Sequence, residues 1–213
     1  MENKKPNLEG LEIRKFDFEI RANENEEHGS FLEGTPIVFN AKTNLGWYDE
    51  IIDSRALDDT DLKDVRFLIN HNTDMVPLAR SRNNNENSTM QLSVAENGMN
   101  IRVDLDTENN ADAKALYSAV NRGDIDGMSF MFSVDKDNWD DIDSEHPTRT
   151  ITGIKRVLEV SAVTFPAYSQ TSLQARGYFD ALDNAKKSLD SVKAEMQENE
   201  RRKQKIKILL EVF

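Results

Sequence analysis

The chain has 213 residues, a length that fits one compact domain with an appendage. Of these residues 38% are hydrophobic and 31% charged, so the chain is more polar than an average globular domain. Cysteine is absent, which excludes disulfides, thiolate zinc sites and cysteine nucleophiles. The net charge of -12 divides into +3 for residues 186–213 and -15 for the rest, so nucleic-acid binding by the acidic body is not expected.

The two ends of the chain differ from the body. The first residues, MENKKPNLEG, lack the apolar stretch of a secretory signal, and no window approaches the roughly 20 apolar residues of a membrane span. These features predict a soluble, cytoplasmic protein. The basic C-terminal end fits either a solvated helix face or a contact with an acidic protein or nucleic acid.

Short strands separated by turns are predicted for most of the first 175 residues. Period-2 alternation predicts a strand at FDFEI, residues 16–20, and β-branched and aromatic residues predict strands at TPIVFN and DVRFLIN, which begin at Thr35 and Asp64. Two alternating runs, TMQLSV and MNIRVDL, flank the short segment from Glu96 to Gly98. This arrangement predicts a β-hairpin.

A change to helical periodicity follows at residues 110–122. Apolar residues recur there with the spacing of one helix face, and Gly123 is placed to end the helix. Strands are predicted again at MSFMFSV and at RTITGIKRVLEVSAVTF, which ends before Pro166. Between them, DKDNWDDIDSEHPTR, residues 135–149, is predicted to be an acidic loop, and its carboxylates lack the spacing of a calcium site.

A C-terminal helix is predicted from about Tyr178. Leu182, Leu189 and Met196 recur every seven residues, and two further apolar residues, Ala185 and Val192, lie between them. This pattern indicates a short coiled-coil-like seam. The apolar end IKILLEVF then predicts a partner or a docking groove.

The chain has three histidines as candidate general bases. His28 and His146 lie in polar segments, which favours exposed and inert roles, whereas His71 follows the apolar strand RFLIN. A strand end anchors the backbone and lets the imidazole project, as a general base requires. The alternative is a purely structural histidine.

Ser129 is the candidate nucleophile. Alternation along MSFMFSV puts Met128, Phe130 and Phe132 on one face of the strand and Ser129 on the other. A serine hydroxyl is a poor nucleophile without a base, so this interpretation requires His71 within hydrogen-bond distance. Without that base, Ser129 is a polar strand residue.

Glu159 lies among apolar residues in KRVLEVSAVTF. A carboxylate there needs a partner, because burying an unpaired charge costs several kcal/mol. A histidine N–H would serve and would fix the ring tautomer. The alternative partners are arginines, namely Arg80, Arg102 or Arg156.

Three segments occur together and in order: Asn70-His71, RGDIDGMSF at residues 122–130 and LEVSAVTFPAY at residues 158–168. With them the sequence resembles the prohead proteases of tailed phages. The segments GTPIVFN, LGWYDEII and VPLAR are also similar to the N-terminal half of that family, so the resemblance covers about residues 10–176.

The resemblance implies a serine endopeptidase with a fold similar to the herpesvirus assembly proteases, a small β-barrel surrounded by helices, followed here by a C-terminal helical tail. Carried over by position, Ser129 is the nucleophile and His71 the general base. Herpesvirus relatives have a second histidine on the corresponding strand, where this chain has Glu159. The family often has glycine after the Ser-Phe pair, and this chain has Met131, which affects the expected width of the cleft.

An oxyanion hole is also implied. The turn after the strand of Glu159 can supply backbone N–H groups, and since Pro166 has none, Ala167 and Tyr168 are the candidates.

Enzymes of this kind act inside the immature prohead in the host cytoplasm, where they remove the scaffold-like segment of the major capsid protein precursor and degrade themselves. We therefore expect a protease domain at residues 10–176 and a helical tail at residues 177–213 for encapsidation or scaffold contact. No cofactor, metal or membrane contact is expected, and a homodimer is a candidate active form. The alternative is a non-catalytic capsid assembly factor that binds the scaffold segment through its C-terminal helix.

Overall fold

The computed structural model describes residues 10–16, 20–25, 29–164 and 172–211. The described strands are, in chain order, β1 Glu12–Phe16, β2 Arg21–Asn25, β3 Gly29–Val38, β4 Thr43–Asn44, β5 Asp49–Ile52, β6 Asp64–Ile69, β7 Ala79–Arg82, β8 Met90–Ala95, β9 Gly98–Asp104, β10 Gly127–Asp140 and β11 Thr148–Val163. The described helices are α1 Ala111–Asn121 and α2 Ser172–Glu211.

The strands form two sheets. In the seven-stranded sheet, the order β1-β10-β11-β5-β4 is extended by β6, which pairs with β11, and by β7, which pairs with β6. The second sheet has the order β2-β3-β9-β8. The chain is therefore mainly β with a C-terminal helix, while the pairings among described strands do not define a closed barrel, so the barrel stays a prediction.

The hairpin and the first helix were predicted correctly. β8 pairs antiparallel with β9. The side chain of Asn110 accepts hydrogen bonds from two backbone amides at the start of α1, and Gly123, at φ +77°, follows its end. These elements are predictable because capping residues and local apolar spacing determine them.

One predicted segment differs from the structure, and another lies partly outside the described residues. β10 and β11 extend through much of the segment predicted as an acidic loop, which leaves residues 141–147 between them. The extension is stabilised by burial of Trp139, which stacks on Trp47 with 5.7 Å between ring centroids. Of the predicted strand at residues 16–20, residues 17–19 lie outside the described residues, and β1 and β2 flank them.

The helix α2 starts at Ser172, and its first half packs on the β body. Ala185 and Leu189 are buried against Tyr48 and Trp139. Ser188 accepts a hydrogen bond from Trp139 Nε1 at 3.0 Å. Most of the predicted seam therefore packs on the β body of the same chain. Beyond it, residues 194–207 of α2 are exposed. In the described part of the chain, no helix has the length and apolar character needed to cross a membrane.

Candidate active site

Ser129, His71 and Glu159 form one continuous chain of contacts. His71 Nε2 lies 2.6 Å from Ser129 Oγ, and His71 Nδ1 lies 2.5 Å from Glu159 Oε1. All three side chains are buried. The three residues chosen from the sequence as candidates for catalysis are therefore brought together, although 58 residues separate the serine from the histidine in the chain.

Neighbouring strands of one sheet bring them together. β11 lies between β10 and β6, and its register places Ser161 opposite Ser129 and Glu159 opposite Met131. Side chains two residues apart in a strand share a face, so Ser129 and Glu159 project on the same side. His71 follows the end of β6, which pairs with β11 in parallel at Glu159.

The opposite face of β10 is apolar, as predicted. Met128, Phe130 and Phe132 belong to the main hydrophobic core. The register skips Leu158, which has no partner between Phe132 and Met131 on β10. This bulge bends the strand next to the site and lets Leu158 pack on Met131 rather than in the main core.

The turn that carries His71 is held in an unusual backbone conformation. Asn70 and His71 have φ values of +51° and +56°, a region in which asparagine and histidine are enriched among the residues other than glycine. The side chain of Asn70 donates to Thr164 Oγ1 at 2.9 Å and accepts from the Thr164 amide at 3.0 Å. These contacts fix the turn against the end of β11.

The Glu159 carboxylate has a hydrogen-bond donor for each oxygen. His71 Nδ1 contacts Oε1, and the Ser161 hydroxyl donates to Oε2 at 2.5 Å. The arginines considered as alternative partners contact other acids: Arg80 contacts Asp64 at 2.6 Å, Arg102 contacts Asp104 at 3.2 Å, and Arg156 lies 4.0 Å from Asp61. Histidine and serine therefore take the place of an arginine partner.

The strand β1 covers the nucleophile. It pairs antiparallel with β10, with Lys15 opposite Ser129. Ser129 Oγ donates a hydrogen bond to the backbone carbonyl of Arg14 at 2.7 Å. Because β11 occupies the other edge of β10, both edges of β10 are paired at the serine.

A buried cluster of charges holds β1 in place. Glu50 accepts two hydrogen bonds from Arg14, from Nε and, at 2.7 Å, from Nη2. Arg149 donates to Glu12 at 3.0 Å and to Asp137 at 2.7 Å. Burial opposes charge on Arg14, but Glu50 and Glu12 outweigh it and raise the pKa of the guanidinium, so the charged form is retained.

The remaining candidates lie away from this site or outside the described residues. His146 is exposed, as predicted, and lies 2.8 Å from an oxygen of Asp49. His28 and the oxyanion candidates Ala167 and Tyr168 lie outside the described residues. Among those that are described, no group of three or more His, Cys, Asp or Glu side chains could hold a metal ion.

Three contacts of the site were not found from the sequence: the Arg14 carbonyl, the Asn70 side chain and the Ser161 hydroxyl. The sequence pattern could have identified Ser161, because strand periodicity puts it on the same face as Glu159. The pattern around Asn70 is less specific, since Asn70 is only the residue between a strand and the candidate base. The Arg14 contact is made by a backbone atom from a distant strand, for which no side-chain pattern exists.

Geometry of this kind can transfer a proton from a serine hydroxyl to an imidazole whose other nitrogen faces a carboxylate. The family model described as Caudovirus prohead serine protease matches residues 16–188, which include all three residues and the first part of α2. The chain is 30% identical over 169 residues to the prohead protease of Enterobacteria phage HK97, covering 78% of this chain and 68% of that protein. No solved structure matches it at a significant level. The chain belongs to the caudovirus prohead serine proteases.

Proposed function

We propose that the chain is an endopeptidase in which Ser129 is the nucleophile, His71 the general base and Glu159 the residue that orients the imidazole. The observation that carries the proposal is the unbroken chain of contacts from Ser129 Oγ through both ring nitrogens of His71 to Glu159 Oε1. A serine needs such a base, because its hydroxyl is weakly nucleophilic near neutral pH.

The reaction proceeds through an acyl-enzyme. Ser129 Oγ attacks the carbonyl carbon of the scissile peptide while His71 Nε2 takes the hydroxyl proton. The C–N bond breaks, and the same proton passes to the departing amine. Water then attacks the ester, again losing a proton to His71, which is returned to Ser129 as the C–O bond to the enzyme breaks.

Glu159 stabilises the imidazolium that forms during each transfer. Its carboxylate faces Nδ1, so the ring keeps Nε2 directed at Ser129. Because the pair is buried, this interaction is screened less by water than it would be on the surface.

The substrate we propose is the scaffold-like segment of the major capsid protein precursor, and the enzyme itself, inside the immature prohead in the host cytoplasm. The support is membership of the prohead protease family and the 30% identity to the prohead protease of Enterobacteria phage HK97. We also propose a homodimeric active form and, as the resemblance implies, a herpesvirus-like barrel. The backbone amides of Ala167 and Tyr168 are proposed as the oxyanion hole, because Pro166 has no N–H to donate.

The exposed part of α2 is proposed to tether the enzyme during encapsidation. Residues 194–207 are exposed, and within them Met196 and Ile206 leave 52% and 57% of their surface in solvent. Single exposed apolar residues are common, so the support for a partner is the combination of their exposure with the basic charge of this end.

The decisive experiment compares wild type and Ser129→Ala in cells that also make the capsid precursor. We expect wild type to trim the precursor and Ser129→Ala to leave it at full length while proheads still assemble. Trimming by the Ser129→Ala protein would contradict the proposed nucleophile. Loss of shell assembly without any effect on trimming of a free substrate would favour the alternative, a non-catalytic assembly factor.

A further inference from the structure

Ser161 is a buried hydroxyl that joins two parts of the site. It lies on β11 directly opposite Ser129, and none of its surface is exposed. Its Oγ accepts a hydrogen bond from the backbone amide of His71 at 3.1 Å and donates one to Glu159 Oε2 at 2.5 Å. One hydroxyl therefore contacts both the backbone of the candidate base and the carboxylate that faces its ring.

We infer that Ser161 is a positioning residue for proteolysis, one that acts through Glu159 and His71 and does not touch substrate. The inference rests on the proposed function, because it assigns Ser161 a role only if the three-residue relay performs the chemistry.

The first argument concerns the carboxylate plane. The terminal torsion of a glutamate side chain has a broad energy profile, so one hydrogen bond to Oε1 leaves the group free to rotate. The second hydrogen bond, from Ser161 to Oε2, fixes that rotation. With both oxygens bound, Oε1 stays in the direction of His71 Nδ1.

The second argument concerns the backbone of His71, which has φ +56°. A non-glycine residue in this region is retained only when its surroundings hold it there. The hydrogen bond from the His71 amide to Ser161 is one such restraint, and it fixes the position of the His71 backbone relative to β11. Loss of the hydroxyl would thus loosen the ring and its carboxylate together.

The chain contains a matched control for a buried serine. Ser81 on β7 is equally buried, and no described residue forms a hydrogen bond with its Oγ. Removing the Ser81 hydroxyl changes a buried polar atom of the same size without touching the relay. A loss found for Ser161→Ala and absent for Ser81→Ala therefore reports the hydrogen bonds rather than burial.

The test measures kcat and KM on a quenched fluorescent peptide selected from a library with the wild-type enzyme. For Ser161→Ala we expect kcat to fall roughly 10- to 100-fold, the effect of a hydrogen bond to a charged group, with KM changed less than about 3-fold. Ser161→Thr, which keeps the hydroxyl, should recover part of that loss. Cysteine is close in size to serine and is a weaker donor, so the kcat of Ser161→Cys should lie between those of wild type and Ser161→Ala. Ser161→Cys provides the comparison if the threonine methyl prevents folding.

A double-mutant comparison separates positioning from a structural role. In a Glu159→Gln background, Ser161→Ala should lower kcat by a smaller factor than in wild type, because the part of its effect that passes through the carboxylate is already lost and only the contact with the His71 amide remains. Equal losses in both backgrounds, or full kcat in Ser161→Ala, would overturn the inference. The proposed function fails on a different result, namely an active Ser129→Ala or His71→Ala variant.

Discussion

Ser129 Oγ lies between two hydrogen-bond partners, the Arg14 carbonyl at 2.7 Å and His71 Nε2 at 2.6 Å. A hydroxyl has one proton to donate, and a carbonyl can only accept. When the proton is donated to Arg14, His71 must present an N–H at Nε2 for its own contact with Ser129 to be a hydrogen bond. Catalysis needs the reverse, an unprotonated Nε2 that accepts the serine proton.

Ser129 is fully buried, and β1 occupies the edge of β10 beside it, so a reagent can reach the hydroxyl only when the site opens. We therefore expect a fluorophosphonate to label Ser129 at a rate that reaches a plateau as reagent concentration rises, the plateau being the rate at which the site opens. Mass spectrometry of the intact chain over time measures this rate. Labelling that keeps increasing in proportion to reagent concentration would mean that the site opens faster than the reagent reacts.

The serine and the histidine should behave as one unit. Since a serine without its base loses nearly all activation, Ser129→Ala and His71→Ala should each lower kcat/KM at least about 1,000-fold, and the double variant should be little worse than either single. Steady-state kinetics on the peptide substrate tests this. Losses that multiply would indicate that the two residues contribute independently.

Glu159→Gln should fold and cleave more slowly, by about 100-fold or more, because an amide cannot stabilise the imidazolium as a carboxylate does. Circular dichroism checks the fold and peptide cleavage checks the rate. Asp49→Asn is the matched control, because Asp49 also lies beside a histidine, His146, but in an exposed pair away from Ser129. Full activity in Glu159→Gln would remove Glu159 from the relay.

The buried charge cluster should be sensitive to loss of one member. Glu50→Ala leaves Arg14 and Arg149 without their shared carboxylate, and breaking a buried pair costs roughly 3–5 kcal/mol of the free energy of unfolding. Asp58→Ala, which removes the partner of exposed Arg55, should change it by less than about 1 kcal/mol. Urea denaturation in a Ser129→Ala background, which prevents self-digestion, compares the two.

Tyr48 should limit stability at alkaline pH. Burial raises the pKa of Tyr48 to about 12, against the opposing effect of Arg14. The unfolded chain releases this proton near pH 10, so the stabilisation is complete below pH 10 and is lost as the pH rises through 12. In Tyr48→Phe the melting temperature should fall less steeply with pH over this range than in wild type. An unchanged slope would count against the raised pKa of Tyr48.

Local patterns predicted much of the site. His71 and Glu159 were identifiable because each polar residue ends or interrupts an apolar run, and Ser129 because alternation separates it from the phenylalanines of β10. These signals lie within about ten residues of chain. Each is a property of side-chain spacing, which the sequence displays directly.

Other contacts could not be predicted, because they depend on which distant strands pair. Nothing near Arg14 indicates that its carbonyl reaches Ser129 or that its guanidinium binds Glu50. The seam of α2 was visible, but whether it packs on another helix or on Trp139 is decided by the whole fold. The acidic segment of residues 135–149 was predicted to be an exposed loop because most of its residues are charged or polar. It forms strands because Trp139 is buried and Asp137 pairs with Arg149, contacts that the local sequence does not show.

The last prediction separates the two halves of α2. The first half packs on the body and on β1, and Ala185 and Leu189 are buried there, so a chain ending at Arg176 would expose Tyr48 and Trp139. A chain ending at Lys193 keeps that packing and removes exposed residues. We expect the chain ending at Lys193 to cleave the peptide at the wild-type rate, and the chain ending at Arg176 to melt at a lower temperature.

Packaging should respond differently from chemistry. If residues after Lys193 form the tether, the enzyme that ends there should be absent from purified proheads although it remains active on free peptide. Quantifying protease copies in proheads beside peptide cleavage by the same preparation gives both values, and Ser129→Ala with a complete α2 provides the packaged, inactive control. Normal copy number for the chain ending at Lys193 would place the tether elsewhere. Loss of peptide cleavage in that chain would instead make the exposed half of α2 part of the catalytic fold, against its lack of burial.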